Sequence, residues 1–125
     1  MARVLIIDDD EQVAGLISEM LLAGGHEPVM EKSGIGLLDR IGKLSFEIVI
    51  TDIVMPEVDG IEIIRQLREV RPEVPIIAIS GNENFPAAVG LKFARAFGAF
   101  QSLFKPFSMK EMLSAVDEAI QSLPK

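Results

Sequence analysis

Four short apolar runs in this 125-residue chain each end on a polar residue of a different chemical type. Val4-Leu5-Ile6-Ile7 runs into Asp8-Asp9-Asp10, and Ile48-Val49-Ile50-Thr51 into Asp52. Ile76-Ile77-Ala78-Ile79 runs into Ser80, and Leu103-Phe104 into Lys105-Pro106. Brought together, an acidic cluster, a single carboxylate, a hydroxyl and an ammonium suit a divalent cation and a phosphoryl group. An aspartate can attack a phosphoryl donor to form an acyl phosphate, which makes Asp52 the candidate nucleophile. Beside Asp8 and Asp9 it would face like charges, costly unless a cation lies between them. Magnesium suits that place, because it takes one or two carboxylates plus phosphate oxygens and keeps several waters. Lys105 would set a point charge on one phosphate oxygen and Ser80 a hydrogen bond on another, meeting the electrostatic demand of phosphoryl transfer.

Taken singly, each residue has a plainer reading. Asp8 to Asp10 suit the cap and dipole of a following helix, and Asp52 suits an Asx-turn. Ser80 before Gly81-Asn82 suits a turn, and Lys105 before a proline suits a solvated surface. Turn chemistry does not require all four types at the ends of successive apolar runs, and the conjunction favours a shared site.

The elements that must position these residues follow from periodicity. The runs at 4–7, 48–51, 76–79 and about 99–104 are nearly continuous in apolar residues, as in strands covered on both faces. Between them, Val13, Leu16, Ile17, Met20 and Leu21 mark one face of a helix that Gly24-Gly25 stops. Ile61, Ile64, Leu67 and Arg68 repeat in the same way up to Pro72. Ser108 and Glu111 have capping-box spacing ahead of Met112, Leu113, Val116, Ala119, Ile120 and Leu123. His26 to Glu31 reads as a short edge strand that tolerates Pro28. Ser33 to Lys43 reads as a helix weakened by Gly34, Gly36 and Gly42, each costing about 1 kcal/mol relative to alanine. Five strand–helix pairs in alternation predict a five-stranded parallel sheet with helices on both faces. The carboxyl ends of its strands, where ligands of open α/β sheets bind, then carry the four polar endings.

Composition narrows the function. One domain over residues 1–125 is expected from the length. The formal charge of −7 argues against a nucleic-acid surface. The absence of cysteine removes disulfides and thiolate chemistry. Asp8 to Asp10 interrupt the first apolar stretch at once, so no signal peptide is expected, and no run approaches a membrane span. A cytoplasmic protein is the expectation.

The combination of Val4-Leu5-Ile6-Ile7-Asp8-Asp9-Asp10, Thr51-Asp52-Ile53-Val54-Met55-Pro56 with Asp59-Gly60, and Phe104-Lys105-Pro106-Phe107 resembles response-regulator receiver domains of two-component signalling. The resemblance spans essentially the whole chain. It implies the flavodoxin-like (CheY-like) strand order 2-1-3-4-5. It also implies that Asp52 accepts phosphate from the phosphohistidine of a sensor histidine kinase or a histidine phosphotransfer protein. By position, Asp9, Asp52 and the backbone carbonyl of Val54 would ligate Mg2+, with Asp8 acting mainly through water. Ser80 corresponds to the switch hydroxyl and Lys105 to the family lysine, whose bond to proline is typically cis. The implied protein is a stand-alone receiver, monomeric or weakly dimeric, signalling through protein contacts or by passing the phosphate on.

Two departures from the family pattern stand out. Ser102 occupies the position, three before Lys105, where an aromatic ring usually turns inward on activation. The stretch from Ser80 to Lys105 is a few residues longer than usual, in Gly81-Asn82-Glu83-Asn84-Phe85-Pro86 ahead of a helix ending near Phe97-Gly98. Val54 cannot orient an attacking water whereas Asn82 can, which predicts slow self-dephosphorylation. His26 suits a surface or packing role. The Met and Phe residues have mostly core spacing, with Phe85 and Phe107 as partly exposed candidates for partner contacts. Three rival readings are an aspartate-nucleophile phosphohydrolase, a flavin carrier and a phosphate-independent binding pseudo-receiver. The first usually has a second carboxylate where Val54 stands, and Asp8 to Asp10 would repel a flavin phosphate. The retained site residues disfavour the third.

Overall fold

A strand read as apolar at every position needs cover on both faces, and two of the three interior strands have it along their whole length. In a computed structural model, which describes residues 2–31, 36–53, 60–81, 92 and 98–123, β3 (Ile48–Asp52) and β4 (Ile76–Ser80) are buried throughout. With β1 (Arg3–Ile7), β2 (Glu27–Glu31) and β5 (Gln101–Phe104) they form one sheet in the order β2-β1-β3-β4-β5. Every neighbouring pair is parallel. The described helices are α1 (Glu11–Ala23), α2 (Leu37–Ile41), α3 (Gly60–Val70) and α4 (Met109–Ser122).

Strand alternation divides the core into two layers. Leu5, Ile7, Val49, Ile53, Ile76 and Ala78 pack with Leu37 and Ile41 of α2 and Ile63, Ile64 and Leu67 of α3. Val4, Ile6, Ile48, Ile50, Ile77 and Ile79 pack with Ala14, Ile17, Met20 and Leu21 of α1 and Met112, Ala115, Val116 and Ala119 of α4. Each fully buried Ile or Leu contributes about 1.5–3 kcal/mol of transfer free energy. The sheet is thereby a rigid base for whatever its carboxyl edge carries.

The helix signals correspond to real caps. Asp10 N-caps α1, its side chain accepting from the Gln12 and Val13 amides, and Gly24 and Gly25 close that helix, Gly25 at φ +82°. Ser108 and Glu111 form the reciprocal capping box of α4. Within Ser33 to Lys43 the described helix is only Leu37–Ile41, and residues 32–35 lie outside the description. The helix expected before Phe97-Gly98 and the loop from Asn82 to Pro86, Phe85 included, also lie outside it.

Several expectations on burial need correction. Leu16, expected on the buried face of α1, is 49% exposed. The covered arc runs through Ala14, Ile17 and Leu21, and Leu16 points away from it. On α3, Ile63 joins the core that periodicity assigned to Ile61, Ile64 and Leu67, while Ile61 is only partly buried. On α4 the small Ala115 is buried, and Leu113, Ile120 and Leu123 are only partly so. β5 is an edge strand that is half-buried rather than covered on both faces. Phe104 is therefore exposed, as are Phe100, Met30 and Met109. Phe107 is partly buried against the α1/α4 layer. His26 is buried, its Nδ1 accepting from the Ala2 amide at 3.2 Å, which is a packing role.

Candidate functional site

Because the strands are parallel, their last residues share one edge. Asp8 follows β1 directly, Asp52 ends β3, Ser80 ends β4 and Lys105 follows β5. Asp52 continues the row of Ile48 and Ile50, and Asp8 the row of Val4 and Ile6, so both belong to the α1/α4 side of the sheet. Ser80 continues the row of Ile76 and Ala78, on the α2/α3 side.

Lys105 Nζ donates to Asp52 Oδ2 at 3.1 Å and to Asp8 Oδ2 at 3.4 Å. The root of the lysine is fixed as well, its amide donating to the Ser80 carbonyl at 2.8 Å. Its stem lies against Gly81, where a Cβ would come within 2.4 Å of the Lys105 Cβ. The Lys105–Pro106 peptide is cis. Asp8 Oδ1 accepts from the Asp10 amide at 2.9 Å, so the acidic run divides its labour. Asp10 caps α1, as the plainer reading of the run proposed, while Asp8 and Asp9 turn to the edge.

The electrostatics are those of a crowded anionic site. Asp8 and Asp52 are buried and Asp9 is exposed. Burial pushes the Asp8 carboxyl above the usual carboxylate range and the charge of Asp52 adds to it; the Asp10 amide and Lys105 pull the other way. Burial would depress the Lys105 ammonium, but Asp52 and Asp8 outweigh it and hold its pKa above the ordinary lysine value.

Carboxylate oxygens of Asp8, Asp9 and Asp52 lie within 4.8 Å of one another. Hard oxygen donors at that spacing fit a small divalent cation, and the exposed Asp9 leaves room for retained waters. The Val54 carbonyl, expected as a further ligand, lies outside the described residues, as does Asn82. Ser80 Oγ is buried and has no hydrogen-bond partner among the described residues. An orphaned hydroxyl of this kind is costly unless another state supplies its partner, and a phosphoryl oxygen at the neighbouring strand end is chemically suitable. The structure thus brings Asp8, Asp9, Asp52 and Lys105 together and leaves Ser80 beside them, outside their hydrogen-bonded set. Sequence reading passed over Gly81, whose signal was a glycine directly after a polar strand ending, and Thr51, a polar residue within a buried run.

Comparison with known proteins places this arrangement. The pattern of the response regulator receiver domain matches residues 4–117. The chain is 32% identical over 121 residues to the DNA-binding transcriptional regulator NtrC of Azospirillum brasilense, covering 97% of this chain and 24% of that protein. It is 33% identical over 121 residues to the response regulator protein TmoT of Ectopseudomonas mendocina, covering 97% of this chain and 54% of that one. The chain therefore spans between a quarter and about half of the length of these curated relatives. Among solved structures, the chemotaxis protein CheY4 of Vibrio cholerae superposes with a TM-score of 0.84 at 26% identity, covering 95% of this chain and 98% of that one. The beryllofluoride-activated NtrC4 receiver domain, solved as a dimer, gives 0.84 at 29% identity, covering 95% and 96%. Such domains are phosphoacceptor signalling modules that work with histidine kinases or phosphotransfer proteins, not classical enzymes. By family pattern, strand order and the acidic edge of its sheet together, the chain belongs to the response regulator receiver domain family.

Proposed function

We propose that this domain accepts a phosphoryl group on Asp52 from the phosphohistidine of a sensor histidine kinase or histidine phosphotransfer protein, in a Mg2+-dependent reaction. The observation that carries the reading is the convergence of Asp8, Asp52 and Lys105 from three different strand ends. A carboxylate oxygen of Asp52 forms the new O–P bond as the P–N bond of the donor breaks, and the imidazole leaves with the electron pair and takes up a proton. Lys105, already within reach of Asp52, pairs with one phosphoryl oxygen, and Ser80 donates its hydroxyl to another. Asp8, Asp9, Asp52 and the Val54 carbonyl would hold Mg2+, which when bound offsets the negative charge of the transferring group. Among the described residues no helix is long and apolar enough to cross a membrane.

The product is an acyl phosphate inside the receiver. A phosphate ordinarily adds about −1.5 to −2 charge at neutral pH. Drawing Ser80 and Lys105 onto it biases the strand ends that carry them. The receiver passes its signal on by contact with another protein or by relaying the phosphate, as a monomer or weak homodimer. Its net charge of −7 disfavours direct contact with nucleic acid. The reading is tested by incubating the chain with a phosphorylated histidine phosphotransfer protein and Mg2+. Label should pass to the receiver and fail to pass to Asp52→Asn; label on Asp52→Asn, or none on the wild type, contradicts it.

A further inference from the structure

Thr51 stands in the middle of the α2/α3 layer. It is fully buried between Val49 and Ile53 along β3, and its register partners are Ile7 on β1 and Ala78 on β4. Packing there requires only a β-branched shape, which valine supplies without a hydroxyl. A hydroxyl buried among apolar side chains is costly unless it is hydrogen-bonded. Here Oγ1 donates to the backbone carbonyl of Asp52 at 3.0 Å. On the other side of the same peptide, the Ile53 amide donates to the Ile79 carbonyl at 3.1 Å. The peptide that leaves the acceptor is thus held at its oxygen by Thr51 and at its nitrogen by β4.

We propose that Thr51 is a positioning residue for the acceptor: its hydroxyl, on the face of the sheet opposite the Asp52 side chain, fixes the Asp52–Ile53 peptide and so the aim of the Asp52 carboxylate. The proposal rests on the phosphoacceptor reading and deepens it. The reach from Thr51 to the reacting atoms is indirect, through one peptide plane. That peptide is the one by which the chain leaves β3. Loosening it costs the reaction geometry, where small misplacements are expensive in rate, and leaves the hydrophobic packing intact.

The test compares Thr51→Val, which keeps the shape and removes the hydroxyl, with Thr51→Ser, which keeps the hydroxyl. In metal-free protein, amide hydrogen exchange at Ile53 should be at least about tenfold faster in Thr51→Val than in wild type. With acetyl phosphate and Mg2+, Thr51→Val should phosphorylate about tenfold more slowly, and Thr51→Ser should recover most of the loss. Exchange and phosphorylation in Thr51→Val equal to wild type overturn the proposal, as does equal impairment of Thr51→Ser and Thr51→Val. A wild type that takes no phosphate overturns the parent reading as well, and the metal-free exchange data distinguish that failure from this one.

Discussion

Lys105 Nζ lies 3.1 Å from Asp52 Oδ2, joining residues 53 positions apart across the carboxyl edge of the sheet. The same ammonium reaches Asp8 Oδ2 at 3.4 Å, so its single positive charge bridges two carboxylates that would otherwise repel.

That relationship has a pH signature. The Lys105 ammonium is held above its ordinary value of 10.5. A raised folded-state pKa for a cation gives stability that is complete below the unfolded value and lost as pH rises through the folded one. Wild type should therefore lose stability above about pH 10.5 in a step that Lys105→Met lacks. At neutral pH, Lys105→Met should be less stable by roughly 2 kcal/mol, the scale of a hydrogen bond to a charged group. Urea titrations between pH 7 and 11.5 check both statements.

Asp8 has a linkage of the same sign at lower pH, because its folded pKa is also raised. Burial holds its folded pKa above 3.8, so its ionised form destabilises the fold above that raised value, and the cost disappears as pH falls through it. Asp8→Asn keeps an oxygen for the Asp10 amide and should gain on the order of 1 kcal/mol in metal-free protein at pH 7. The gain should shrink towards pH 4. With Mg2+ at about a hundredfold over its dissociation constant, wild type should instead gain about 2.7 kcal/mol. Asp8→Asn should gain much less, and chelation should return wild type to its metal-free value. Thermal melts with and without Mg2+ measure the crossover.

Gly81 controls where the lysine stem runs. A Cβ there would meet the Lys105 Cβ at 2.4 Å, so Gly81→Ala must push the stem outward. Overpacking of this kind costs about 1–3 kcal/mol. Phosphorylation should slow along with it, because Lys105 loses its place over Asp52. A stability loss with an unchanged phosphorylation rate would show that the lysine re-aims freely.

Val54, two residues after Asp52, is expected to set the lifetime of the phosphate. An apolar side chain cannot hold a water for attack on the acyl phosphate. Self-dephosphorylation should be slow in wild type and faster in Val54→Asn, measured as label loss from purified phosphoprotein. Equal rates would remove Val54 as the cause.

Much of the site was legible in the sequence because parallel strands end their buried runs on one edge. Asp8, Asp52, Ser80 and Lys105 could be read from the chain as run endings. The strand order was not readable that way, since alternation of elements does not order them, and it came with the family resemblance. Asp9 and Asp10 looked alike in the chain, and only the cap geometry separates a helix N-cap from a member of the acidic cluster. Burial was less legible. Leu16 and Phe104 are apolar at apparently suitable spacing, but one turns out of the arc of α1 and the other sits on an edge strand. Thr51 was invisible for the opposite reason: a β-branched residue inside a buried run looks like packing until its hydroxyl has a partner. Ser102, where the family usually has an aromatic, is half-buried on β5 opposite Ala78, and the route from site to surface carries no ring at that position.

The central claim is that Asp52 is the phosphoacceptor of a Mg2+-dependent site. Incubation with acetyl phosphate and Mg2+, followed by intact-mass and peptide mass spectrometry, tests it most directly. The account predicts one phosphate adduct on the peptide containing Asp52, lost on chelation before the reaction and absent from Asp52→Asn. No adduct on the wild type, or an undiminished one on Asp52→Asn, would contradict it.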